Sequence, residues 1–123
     1  MTVTEFRRLA LSLPSATESA HMGHPDFRVA GKIFATLGYP DARFGTIMLS
    51  PTDQDLLVRE HPKAFAPAAG AWGKTGSTSV TLRTAPRRVV TMALESAWTR
   101  RASKQLIAAH AAGHAPPRER RNP

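Results

Sequence analysis

The sequence predicts an α+β domain: an antiparallel sheet with helices packed on one face. Three observations carry that expectation. Apolar residues recur at helical spacing at the start, in the middle and near the end of the chain; the stretch from Ala16 to Leu49 has a period of two; and no strand–helix alternation of the βαβ kind occurs. The expected order is α-β-β-β-β-α-β-α.

The first helix opens on "TVTE", a capping box with Thr2 as N-cap and Glu5 at the third helical position. Val3, Phe6, Leu9, Ala10 and Leu13 then follow at helical spacing. It should end at Leu13, before Pro14. Runs around "TESAHM", "DFRV", "KIFATL" and "GTIML", separated by Gly, Pro and Asp, read as an antiparallel meander of about four strands. "SPTDQDLLVREHP" restarts a helix, with Ser50 as cap, Pro51 in the first turn, Asp53 near the positive end and Pro62 as the stop. A loop rich in Ala, Pro and Gly leads to a last strand, "STSVTL". The final helix starts near Pro86 and sets Val89, Val90, Ala93, Leu94, Ala97 and Trp98 on one stripe. Arg100 and Arg101 would enter that stripe, so the helix should end or bend there. Residues 1–106 form the expected single domain; residues 107–123, dominated by Ala, Pro and charge, read as a frayed or disordered basic tail.

A chain of 123 residues with 41% hydrophobic content suffices for one core. The absence of cysteine excludes disulfides, cysteine-ligated metal and thiol nucleophiles. No apolar run reaches the length of a membrane span, and the N-terminus does not read as a signal peptide. A cytoplasmic monomer with no membrane partner is the expectation.

The net charge of +8 is unevenly placed. Residues 1–82 carry eight Lys/Arg against seven Asp/Glu, residues 83–104 carry six against one, and the remainder three against one. Arg83, Arg87, Arg88, Arg100, Arg101 and Lys104 therefore supply most of the excess, which suits an anionic partner or a solvated basic face. Arg87 and Arg88 occupy a helix's first turn, where cations oppose the dipole and a bound anion would offset the cost.

"GHPDFRVAGKIFATL", residues 23–37, adds a basic hairpin. A three-residue loop Val29-Ala30-Gly31 puts only a glycine at positive φ, and is favoured over a two-residue loop that would put Ala30 there too. It would pair Arg28 with Lys32 on one face, with Phe34 beside them, and leave Phe27, Ile33, Ala35 and Leu37 on the other. Two cations facing each other would invite an anion between them.

These pieces, together with "LSP" before the second helix, "AWGKTGSTSVTL", and Ala97-Trp98 followed by Lys104, resemble the MmcQ/YjbR family from the first helix to about Leu106. The resemblance implies a fold like that of frataxin and CyaY, also described as a double wing, and a DNA-binding role. Gly23, His24, Pro25, Phe27, Arg28, Gly31 and Lys32 match the hairpin signature; Trp72, Gly73, Lys74 and Gly76 match the second motif. Two departures stand out: Ser77 where the family often has an aromatic, and Arg87 and Arg88 where it often has an acidic helix start.

Other chemistries find less support. The first helix sets Glu5 against Arg7 and Arg8, which is no carboxylate site for iron. His21 and His24, or His110 and His114, offer two metal ligands each, so no metal or other cofactor is expected. No nucleophile elbow, HExxH or Walker A pattern occurs, and "AWGKTGS" lacks the glycine that a phosphate-binding loop needs in frame, so the chain does not read as an enzyme. Trp72 with Lys74 fits a base-stacking contact or a cover for the sheet edge. The expected function is DNA binding, to duplex DNA chiefly through phosphates, by Arg28, Lys32, Trp72, Lys74, Arg83, Arg87 and Arg88 on one exposed face. The alternative is a protein-interaction module or a small-anion pocket between the Trp72 loop and the hairpin.

Overall fold

The computed structural model describes residues 1–113. Thr2 caps the first helix, α1 (Val3–Leu11): its hydroxyl accepts from the Glu5 amide at 3.1 Å, and the Glu5 carboxylate accepts from the Thr2 amide at 2.9 Å. The helix stops at Leu11 rather than Leu13, because the Ser12 hydroxyl donates back to the Leu9 carbonyl at 2.6 Å and Ser15 takes a φ of 58°. The meander follows as β1 (Thr17–His21), β2 (His24–Val29), β3 (Lys32–Leu37) and β4 (Phe44–Met48). Ser50 then caps α2 (Pro51–Glu60), accepting from the Asp53 amide at 3.1 Å.

The Ala-, Pro- and Gly-rich stretch holds two elements that its composition does not announce, a short strand β5 (Phe65–Pro67) and a one-turn helix α3 (Ala71–Lys74). They precede β6 (Ser77–Thr81), a 3₁₀ turn over Leu82–Thr84, and two further helices, α4 (Arg87–Arg101) and α5 (Lys104–Gly113). The six strands are ordered β1-β2-β3-β4-β6-β5, and each pair is antiparallel.

Directly paired residues share a face of the sheet. Phe27, Ala35 and Ile47 form one such row, and Leu37, Gly45, Val80 and Phe65 another. These rows meet α1, whose Phe6 ring lies 6.3 Å from that of Phe27, and α4, which buries Val90, Ala93, Leu94, Ala97 and Trp98. The opposite face carries the row Ser19, Asp26, Thr36, Thr46 and Ser79. One face is thus apolar and covered by α1 and α4, as the α+β expectation requires.

The hairpin between β2 and β3 departs from its expected form. Val29 pairs with Lys32 across a two-residue turn, and both Ala30 and Gly31 take positive φ, 53° and 75°. A turn with both central residues left-handed matches the twist of its strands, and the alanine's cost, about 1–2 kcal/mol, is outweighed by the burial this register permits. The register skips Phe34, so that Phe27 faces Ala35 while Arg28 faces Ile33. Such a bulge lets consecutive residues Phe34 and Ala35 both enter the core, whereas Ile33 shares the side of Arg28 and is half-buried. Arg28 and Lys32 are therefore not partners, and the expected repulsion between them does not arise.

Residues 104–113 also form more structure than their composition suggests. α4 stops at Arg101, where the stripe requires it, and the Ser103 hydroxyl accepts from the Leu106 amide at 3.2 Å to begin α5. Leu106 and Ile107 pack against the core, and the His110 ring meets Trp98 edge-on at 5.0 Å, its Nε2 lying 2.5 Å from Glu95 Oε2. Residues 107–113, expected to lie in a frayed tail, thus continue a docked helix. Residues 114–123, with His114, lie outside the described residues. Among the described residues no helix is long and apolar enough to cross a membrane.

Candidate nucleic-acid interface

The register gives the sheet two functionally distinct ends. At one end lie the Ala30-Gly31 turn, the exit of β4 at Met48 and the entry to β6 at Ser77, since Met48 pairs with Ser77. α3 precedes Ser77 directly and so sits at this hairpin end. The C-terminal turn of α4 reaches it too, because the Arg100 guanidinium donates to the Met48 carbonyl at 3.1 Å. The other end holds the entry to β4, paired with Thr81, then the 3₁₀ turn and the start of α4.

Lys32, Trp72 and Lys74 consequently gather at the hairpin end, all exposed, with Arg100 and Lys104 beyond Met48. Among the described residues no ion pair involves Lys32, Lys74, Arg100, Arg101 or Lys104. Of the acidic groups near this end, Glu18 is held by Arg7 at 2.9 Å, and Asp53 occupies the first turn of α2, where the helix dipole favours it. Arg83, Arg87 and Arg88 are exposed but belong to the opposite end, a strand length of roughly 15 Å away. Arg87 stands there near Glu5, whose carboxyl is held below its usual value by the Thr2 amide first and by the N-terminus and Arg87 to a lesser degree. A single face carrying all seven predicted residues is not what the register builds. Sequence reading missed Arg100 and Lys104 as neighbours of the hairpin because only the packing of α4 on the sheet, with Arg100 against Met48, brings them there.

Arg28 lies near the hairpin end but is already engaged. Asp26, two residues earlier on the same face, is 0% exposed and receives Arg28 Nε at 2.8 Å and Nη2 at 3.0 Å, while His21 Nδ1 lies 2.8 Å from its second oxygen. This fork fixes the guanidinium across β2, gives Arg28 an internal partner and leaves its side chain 34% exposed. The hydrogen bonds from Arg28, and then from His21, hold the Asp26 carboxyl below its ordinary value of 3.8 although burial opposes them. A carboxyl whose folded value is depressed adds stability above its unfolded value and loses it as pH falls through the folded one. Stability measured by urea denaturation should therefore fall from about pH 4 downward, and Asp26→Asn should flatten that fall. An unchanged acid limb would contradict this role.

The α3 segment is specified by backbone contacts rather than by phosphate chemistry. A Cβ on Gly73 would lie 1.9 Å from the Ala68 carbonyl oxygen, and one on Gly76 would lie 1.9 Å from that of Leu49. Buried Gln54 of α2 closes the arrangement, its amide nitrogen donating to the Gly73 carbonyl at 2.8 Å and the Ser77 carbonyl at 3.0 Å. The glycines of "AWGKTGS" thus let main chain pack on main chain. Trp72 does not cover the sheet edge: it is 65% exposed.

Comparison with known proteins agrees with this architecture. The family model described as YjbR matches residues 11–100, from the end of α1 to the last turn of α4. The chain belongs to the YjbR family. This YjbR domain is also similar to a solved structure, protein DR2400 of Deinococcus radiodurans with its DUF419 domain. The two share 20% identity at a TM-score of 0.66, over 79% of this chain and 75% of that one. At that identity the likeness speaks for the fold alone. No curated protein sequence matches.

Two surface depressions of the YjbR domain are bordered by no residue of the hairpin or of the Trp72 turn. One of about 280 Å³ is bordered by His61, Lys63, Thr84 and Pro86, the other, about 450 Å³, by Thr4, Arg7, Arg8 and Leu11. Neither is the anion pocket expected between Trp72 and the hairpin. Among the described residues no three His, Asp or Glu side chains gather where they would hold a metal ion.

Proposed function

We propose that this YjbR domain is a cytoplasmic, non-enzymatic DNA-binding protein that grips the phosphate backbone with the exposed cations of its hairpin end: Lys32, Lys74, Arg100 and Lys104. One observation carries this reading. Strand pairing, together with the contact of Arg100 with Met48, brings cations from three separate parts of the chain to one end of the sheet, and among the described residues none of the four is ion-paired. Arg28 supports the hairpin through Asp26 rather than touching DNA, and Arg83, Arg87 and Arg88 contribute a general attractive field from the far end.

Phosphate contact has a distinctive salt signature, because each neutralised phosphate releases counterions. With about four phosphates contacted, affinity for a labelled mixed-sequence oligonucleotide should fall roughly a hundredfold between about 50 and 200 mM salt. Fluorescence anisotropy measures this directly. A shallow dependence would instead fit one or two ion pairs to a small anion, and no binding at low salt would end the DNA reading.

A further inference from the structure

We propose that the strand held at the hairpin end is single, or locally unpaired, with one base stacked on the indole of Trp72. This rests on the reading that the hairpin end contacts nucleic acid. It narrows that reading from duplex to unstacked bases.

Trp72 is 65% exposed, whereas the chain's other tryptophan, Trp98, is 0% exposed and uses its Nε1 to donate to the Pro14 carbonyl at 2.9 Å. The backbone beneath Trp72 is not a loose loop. Gln54 bonds the carbonyls of Gly73 and Ser77, the Thr75 hydroxyl donates to the Trp72 carbonyl at 2.9 Å, and Gly73 and Gly76 pack directly against main chain. A large aromatic surface is thus held outward on a fixed base, so stacking on it orders few additional backbone torsions.

The charges around the ring select the class of partner. Lys74 follows on the same one-turn helix, and Lys32 stands at the same end of the sheet, on β3, two strands from β6. An aromatic platform flanked by cations matches an unpaired base with its phosphates, since a base within a duplex has both faces covered by its neighbours. Phosphate contacts alone would not need the indole.

The test compares a labelled single strand with a duplex of the same length and sequence, at low salt, on wild type, Trp72→Ala and Trp72→Phe. Wild type should bind the single strand about tenfold more tightly than the duplex, and Trp72→Ala should lose roughly tenfold on the single strand and little on the duplex. Trp72→Phe should restore most of that loss. Quenching of wild-type tryptophan emission on binding should vanish in both variants, where buried Trp98 is the remaining fluorophore and also reports that the fold is intact. Duplex binding as tight as single-strand binding, or no loss in Trp72→Ala, would overturn the stacking proposal and leave phosphate binding standing. Binding of neither nucleic acid would overturn both.

Discussion

Trp98→Ala is expected to destabilise the domain by about 3–5 kcal/mol, the range for removing a large buried aromatic. The residue is 0% exposed in the core between α4 and the sheet, and its indole N–H reaches the Pro14 carbonyl at 2.9 Å, tying α4 to the turn after α1. On its other side the ring meets His110 of α5 at 5.0 Å. Truncation therefore leaves a cavity, strands the Pro14 carbonyl and removes the surface against which α5 docks. Against a total stability of about 5–15 kcal/mol, that loss shifts a urea midpoint far enough to be unambiguous. Trp98→Phe keeps most of the packing and gives up the hydrogen bond, so a loss of about 1–2 kcal/mol is expected for it. A cost under about 1 kcal/mol for the alanine variant would mean that the core does not depend on this ring.

Gly76→Ala is expected to cost roughly 3 kcal/mol or more, because two penalties act together. Its φ of 114° is hostile to a side chain, and the added methyl carbon would lie 1.9 Å from the Leu49 carbonyl oxygen, a backbone atom that cannot swing aside. The Leu49 amide also donates to the Gly76 carbonyl at 3.2 Å, so relief of the clash separates the exit of β4 from the entry to β6. Gly70→Ala is the matched control. Its φ of 76° and ψ of −159° lie in a region almost reserved for glycine, but nothing lies within 4 Å of the added carbon, so only the backbone penalty of about 1–3 kcal/mol applies. Urea denaturation of both variants separates close packing from backbone conformation, and equal losses would show that the contact with Leu49 is not the deciding one.

These two sites also show which parts of the fold are legible in the sequence. The caps at Thr2 and Ser50 are local, each completed within three residues, and so predict their helices directly. The period-two stretch likewise announces the meander. β5 and α3 are not legible, because they are fixed by distant partners: Phe65 by Val80, and the α3 backbone by Gln54 from 19 residues away. The hairpin register escaped for an energetic reason. A small local penalty at Ala30 favours the wrong loop, while the burial of Val29 and Phe34, which decides the register, depends on the whole sheet. α5 was hidden by its alanines, although Leu106, Ile107 and His110 are spaced to meet α4 and the core.

The candidate site divides in the same way. The basic residues are plain in the sequence, and Asp26, two positions before Arg28, is the signal that this arginine has an internal partner. Their distribution between two ends of the sheet follows from strand order, which periodicity does not encode. Arg100 and Lys104 look like ordinary helix C-terminal cations until Met48 is found beside Arg100.

The central claim, that the hairpin end holds the phosphate backbone, is tested most directly by reversing charge at each end in turn and measuring oligonucleotide affinity by anisotropy at fixed low salt. Lys32→Glu with Lys74→Glu should weaken binding by at least about a hundredfold and flatten its salt dependence, whereas Arg83→Glu with Arg87→Glu should weaken it only several-fold, through the long-range field. Equal losses from the two pairs, or a larger loss from the Arg83 and Arg87 pair, would contradict the account.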